Sequence, residues 1–267
     1  MGVLDAILSV KRDEVTVLHQ PATSDALHKA AIEAPPARGF AAELRRSDGS
    51  LAVIAELKRR SPSKGDLAVD LDVPATARAY ARGGAAALSV LTDRHYFGGS
   101  VEDLREARDV AELPVLRKDF TIDPIQVYET RGIGADALLL IVAALPDNGL
   151  LGDLIRLASE LGLAALVETH NEAEIERALH AGATIVGVNS RSLQSFEEDI
   201  GVALRCVRYL PAEVVAVAES AVRSPSSAHQ LAAVGYDAVL VGEALVRAAD
   251  PEHLVAEMTA VHVEPRS

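Results

Sequence analysis

Cysteine is almost missing from this chain. The single Cys206 excludes an intrachain disulfide and a cysteine-rich metal site, and it fits a reducing cytoplasm. Basic residues are outnumbered, 26 Lys and Arg against 39 Asp and Glu, for a formal net charge of −13. That balance argues against a general nucleic-acid or anionic-membrane surface, while a local cluster of Lys and Arg can still bind a small anion. No apolar run approaches the length of a membrane span, and the N-terminus has no signal-peptide core. The expectation is a cytoplasmic protein, a monomer or weak homo-oligomer, with no nucleic-acid or membrane partner. No dinucleotide glycine motif is present, and no pair of the eight histidines has metal-ligand spacing.

What is there is a sizeable apolar content, 49% of 267 residues, and a repeat. Residues 3–18 carry a helical apolar stripe, residues 33–39 interrupt helix, and a short helix starts at Phe40. The reading is an N-terminal helical extension over residues 1–48, packed on the outside of the main domain with its charges in solvent. Strand-like runs follow at 51–58, 85–91, 114–117, 137–142, 164–167, 184–188, 214–218 and 238–241. Helical segments follow them in turn, at 73–82, 101–110, 124–131, 147–161, 172–180, 201–209, 225–234 and 251–261. Glycine repeatedly closes a helix before the next strand, as a C′ cap does. The strands are continuously apolar, which suits strands covered on both faces. Eight β/α units in about 250 residues is the arithmetic of an α/β fold, a (β/α)₈ TIM barrel, here one domain over 1–267.

Barrel chemistry lies at the C-terminal strand ends. Those ends read Glu56 and Lys58, Lys118, Glu168, Asn189 and Arg191, and Glu219. Glu56/Lys58 and Asn189/Arg191 are two residues apart, so each pair shares a face. Convergence would set three cations among three carboxylates, an arrangement that shifts pKa values both ways and suits an anionic substrate that exchanges protons. For Lys118 the expectation is a lowered pKa, from Lys58 and Arg191 beside it. Ser61 to Gly65 reads as a mobile basic loop. Ser220-Ala221 and Gly242-Glu243-Ala244 follow strands seven and eight, where barrels place phosphate, with the Glu243 N–H expected to serve rather than its carboxylate. Phe97 and Phe120 are candidate walls for an aromatic ring. Cys206 reads as a packed small hydrophobe.

The segments Val53-Ile54-Ala55-Glu56-Leu57-Lys58-Arg59-Arg60-Ser61-Pro62-Ser63-Lys64-Gly65, Pro114-Val115-Leu116-Arg117-Lys118-Asp119-Phe120, Leu166-Val167-Glu168, Gly187-Val188-Asn189-Ser190-Arg191 and Ala218-Glu219-Ser220 resemble the indole-3-glycerol phosphate synthase family. The resemblance implies a (β/α)₈ barrel with an N-terminal helical extension. It implies ring closure of 1-(2-carboxyphenylamino)-1-deoxyribulose 5-phosphate to indole-3-glycerol phosphate, with loss of carbon dioxide and water and with no metal or organic cofactor. Carried over, Lys118 is the general acid on the ribulose carbonyl, and Glu168 stabilises the cationic intermediate or acts as base. Glu56 and Lys58 serve the dehydration and hold anionic groups, Asn189 and Arg191 orient, and Glu219 and Ser220 line the pocket. Backbone at Ala221, Gly242 and Glu243 holds the phosphate, and Ser61 and Leu240 join the substrate-binding set. The family usually has glycine where this chain has Ala221, a substitution that costs about 1 kcal/mol if the backbone there needs φ > 0. Two rivals remain: a Schiff-base aldolase working through Lys118, and a barrel that binds a phosphorylated metabolite without turnover.

Overall fold

The computed structural model describes residues 2–192 and 195–266. Eight parallel strands close into a barrel: β1 Ala52–Leu57, β2 Ala87–Leu91, β3 Val115–Lys118, β4 Ala137–Ile141, β5 Ala164–Thr169, β6 Ile185–Asn189, β7 Val215–Glu219 and β8 Ala238–Val241. Each pairs with its chain neighbours, and β8 returns to β1 with Ala52 opposite Ala238. Helical segments cover the outside between successive strands. The expected strand ends differ from these by one or two residues at several places, because apolar patterning does not show where pairing stops. No helix among the described residues is long and apolar enough to cross a membrane.

Strand alternation sorts the core into two layers. Val53, Ala55, Leu88, Val90, Leu138 and Leu140 point outward and pack under the helices. Ile54, Leu116, Leu139, Leu166, Val217 and Leu240 fill the barrel interior. Continuing the inward parity by one step from Ile54, Leu116, Leu166 and Val217 reaches Glu56, Lys118, Glu168 and Glu219. The pleat thus delivers each polar side chain to the open end of the barrel. Glycines bridge helix to strand where the turn is left-handed, as at Gly182 and Gly235, with φ of +89° and +92°.

The N-terminal helices do more than cover the outside. α1, Val3–Leu18, lies across the C-terminal mouth, where Val3, Leu4 and Ile7 line the main cavity. α2, Pro21–Glu33, packs along the helix Pro124–Gly132. α3, Phe40–Leu44, sends its two buried ends, Phe40 and Leu44, into the barrel interior against Ala52, Ala87 and Ala238. Nor are all its charges in solvent. Lys11 is 2% exposed, with its ammonium 2.8 Å from Asp119 and 3.3 Å from Asp93. Helical patterning alone read this extension as an outer layer, since it carries no information about which apolar stripe meets which surface.

Candidate active site

The mouth of the barrel holds a cavity of about 400 Å³. Glu56, Lys58, Lys118, Glu168, Asn189, Arg191 and Glu219 all line it. So do Ser61, Phe97, Phe120, Ser220, Ala221, Leu240, Gly242 and Glu243. Phe97 and Phe120 face each other at one side with ring centroids 6.2 Å apart.

At the centre, Lys118 Nζ donates to Glu168 Oε2 at 2.9 Å and to Glu219 Oε2 at 2.7 Å. Lys58 donates to Glu56 beside them. The expected lowering of the Lys118 pKa is therefore wrong in sign. Burial does oppose its charge, but Glu168, Glu219 and Glu56 outweigh that and hold the ammonium protonated well above the ordinary lysine range. Lys58 and Arg191 do not crowd it: the first is bound to Glu56 and the second faces elsewhere. The Lys118 ammonium is engaged by both Glu168 and Glu219, so an imine at this lysine would first have to break two buried ion pairs.

The two carboxylates around Lys118 part ways. For Glu168, burial works against ionisation, yet Lys118, His170 and a hydrogen bond from Asn189 prevail and hold it below the ordinary glutamate range. For Glu219, burial and the neighbouring Glu168 charge outweigh Lys118 and push it up. Glu219 Oε1 is buried without a hydrogen-bond partner among the described residues. The same surroundings thus push the two carboxylates in opposite directions, Glu168 down and Glu219 up, the separation that acid–base sites use.

Two glycines make room for these charges. A Cβ on Gly187 of β6 would collide with Glu219 Oε1, and one on Gly242 would collide with Glu56 Oε1. Gly187 drew no role from the sequence, although a glycine inside an apolar strand signals a close approach. Glu243 opens the short helix Glu243–Val246 and turns its carboxylate toward Arg247 at 3.4 Å.

Arg191 does not pair with Glu56, Glu168 or Glu219, which the resemblance implies it would help to orient. It is bound to Glu198, and Nη1 donates to Ser63 Oγ at 2.5 Å. Glu198 also takes Arg223 at 2.5 Å. The segment expected as a mobile loop is a small hairpin, Arg60–Ser61 against Gly65–Asp66. It is tied on one side by Arg191 and on the other by Arg60 Nη2, which donates to the carbonyls of Arg94 and His95 at 2.8 and 2.7 Å. Two-residue strands lie below what periodicity can register.

Ser220 and Ala221 take φ of 62° and 57°, so the left-handed condition on Ala221 is met. Such a backbone costs a residue with a Cβ about 1 kcal/mol or more. We expect Ala221→Gly to lower KM several-fold for a phosphorylated substrate while kcat stays within a few-fold, because phosphate is held alike in ground and transition states. Steady-state kinetics decide it, and an unchanged or raised KM refutes it.

A family model described as "Indole-3-glycerol phosphate synthase" matches residues 4–258. Relatives so named include proteins of Parafrankia sp., 46% identical over 99% of this chain and 98% of the relative, and of Chlorobium chlorochromatii, 46% identical over 92% and 95%. The protein of Mycolicibacterium smegmatis is 44% identical over 98% and 96%. Among solved structures, 3-hexulose-6-phosphate synthase from Salmonella typhimurium shares the fold at 18% identity, with a TM-score of 0.63 over 79% of this chain and 97% of that one. With a family match along almost the whole barrel and relatives this similar at nearly full length, the chain belongs to the indole-3-glycerol phosphate synthase family.

Proposed function

We propose that this barrel closes the indole ring of 1-(2-carboxyphenylamino)-1-deoxyribulose 5-phosphate, releasing carbon dioxide and water, and that its acid–base work runs through the Lys118–Glu168–Glu219 cluster. The observation that carries the reading is the placement of Lys118 within hydrogen-bond reach of both Glu168 and Glu219, beside the Glu56–Lys58 pair.

The aromatic carbon bearing the carboxylate attacks the ribulose carbonyl. The carbonyl π pair moves to oxygen, which takes a proton from Lys118. Its raised pKa does not prevent this, because a developing alkoxide is more basic still and is stabilised by a charged donor already in place. The attack leaves the ring cationic, and Glu168 supplies the opposing charge. Carbon dioxide departs, and its bond pair restores the aromatic ring. The hydroxyl then leaves as water with a proton from Lys58, while Glu56 takes a proton from the adjacent carbon to complete the double bond. Glu219, bonded to Lys118, returns a proton to it.

The remaining groups bind and orient. Asn189 holds Glu168, Phe97 and Phe120 flank the aromatic ring, and Ser61 and Leu240 line the pocket. Backbone at Ser220, Ala221, Gly242 and Glu243 takes the phosphate. Arg191 acts on the site through the hairpin and Glu198. The test is a continuous fluorescence assay for indole with the purified protein and the carboxyphenylamino sugar phosphate. Indole fluorescence should rise with one carbon dioxide released per turnover. A flat trace at saturating substrate, from folded protein, overturns the reading and favours a binding barrel.

A further inference from the structure

Directly after β5, His170 is half-buried at the edge of the proposed catalytic cluster, with its side chain 12% exposed. Both ring nitrogens face carboxylates. Nδ1 lies 3.1 Å from Glu174 Oε2. Nε2, buried with no hydrogen-bond partner among the described residues, lies 3.4 Å from Glu168 Oε1. The opposite oxygen of Glu168 is the one that binds Lys118.

A neutral imidazole carries one N–H and one lone pair. With the proton on Nδ1, the Nε2 lone pair would face a buried carboxylate oxygen. With the proton on Nε2, the Nδ1 lone pair would face Glu174. Only the doubly protonated ring suits both neighbours. We propose that His170 is a positioning residue for the ring closure: held as an imidazolium between Glu174 and Glu168, it keeps Glu168 ionised and so leaves the proton of the carboxylate pair on Glu219. The inference deepens the acid–base reading above and rests on it.

The asymmetry of the pair supports this. Glu168 has a cation at each oxygen, Lys118 at one and His170 at the other, whereas Glu219 has Lys118 alone and an orphaned Oε1. Without His170 the two glutamates would share one lysine, and Glu168 would keep only the Asn189 hydrogen bond as its advantage. They would then compete for the proton, and the anion facing the cationic intermediate would be present only part of the time. The charged groups facing the ring are Glu168 on its own strand, Glu174 on the helix Glu172–His180, and Glu219 across the mouth. β4 ends in Ile141, with Val142 after it, and brings no charge. Burial opposes the imidazolium, but the Glu174 hydrogen bond and the carboxylate charges overcome it and raise its pKa above the ordinary histidine value. Glu174 is itself held in place, accepting from the His170 N–H at 2.8 Å and from Asn171 Nδ2 at 3.1 Å.

His170→Gln keeps a donor toward Glu168 and removes the charge. An opposite charge this close lowers a carboxylate pKa by roughly 1–3 units. The acid limb of kcat/KM should therefore move up by at least about one pH unit in the variant, with KM for the substrate changed less than about three-fold near neutral pH. An independent readout needs no turnover. Imidazole resonances of the wild-type protein, followed by NMR against pH, should include a half-buried histidine titrating above about 6.5. Glu174→Gln, which leaves Lys118, Glu168 and Glu219 in place, should lower the midpoint of that resonance alone. An acid limb that stays put in His170→Gln, or a midpoint that Glu174→Gln does not move, overturns the proposal. Loss of the ring-closing activity in the wild type would instead overturn the function, and the NMR result would stand apart from it.

Discussion

Lys118→Met is expected to lower kcat by about 10² to 10⁴, the usual worth of a positioned proton donor, with KM changed little. Methionine keeps the chain length and apolar stem and removes the ammonium that would meet the developing alkoxide. The variant should also be less stable than the wild type. Lys118 stands between Glu168 and Glu219, both buried, and its removal leaves two carboxylates without their shared cation. Breaking a buried ion pair from one side costs about 3–5 kcal/mol, less here because Glu219 already tends toward its neutral form. The sign with pH follows. In the variant the folded-state pKa values of these glutamates rise above their unfolded value of about 4.3. The stability deficit should thus be largest at neutral pH and shrink as pH falls and the carboxylates take up protons. Indole fluorescence beside denaturation curves at pH 5 and 8 tests both parts. Near-normal turnover from folded protein refutes the assignment of Lys118 as donor, and a deficit that grows on acidification refutes the electrostatic account.

Lys11→Met should be the most destabilising single change outside the Lys118–Glu168–Glu219 cluster, by about 3–5 kcal/mol. Its ammonium is buried between Asp119 and Asp93, with Glu14 at 2.7 Å on the open side. Burial alone would lower its pKa, but Asp119 and its other carboxylate partners prevail and raise it. Asp119 shows the converse: burial opposes its charge, while Arg117 and Lys11 bring its pKa down to about 2. The loss should reach function as well. Asp93 caps the turn that carries Phe97, accepting from the Tyr96 N–H at 2.7 Å. Asp119 sits between Lys118 and Phe120 in the chain. With Lys11 gone, α1 loses its anchor over the mouth, and KM should rise more than kcat falls. Urea denaturation with an unchanged m value checks the first claim, and steady-state kinetics well below the midpoint check the second. A stability loss below about 1 kcal/mol would mean that the aspartates find other partners.

Much of this was legible from residue order because it depends on short-range periodicity. Apolar runs of four to seven residues alternating with helical stripes identify eight β/α units, and the spacing of two along a strand tells which polar residue shares a face with which apolar one. Ile54 facing inward fixes the direction of Glu56, and Leu116 that of Lys118, before any coordinate is known. The same short range explains the errors. Strand-end order places three cations and three carboxylates at one mouth but not which of them touch: closure of the barrel sets Glu168 and Glu219, 50 and 101 positions away, in contact with Lys118, and leaves Lys58 on Glu56 and Arg191 on Glu198. Arg191 found Glu198 and Ser63, and Lys11 found Asp93 and Asp119, by the same route. The strained turn at Ser220 and Ala221 became definite only with the backbone in place. Periodicity along one chain decides which way a side chain points. Whether a buried charge is held, reversed or neutralised depends on distances of about 3–4 Å to groups remote in sequence, where the Coulomb interaction is strong and solvent cannot screen it. The order of residues determined the barrel and the inward set of polar strand ends, and only the closed tertiary structure decided which of them meet and which way Lys118, Glu168 and Glu219 are pushed.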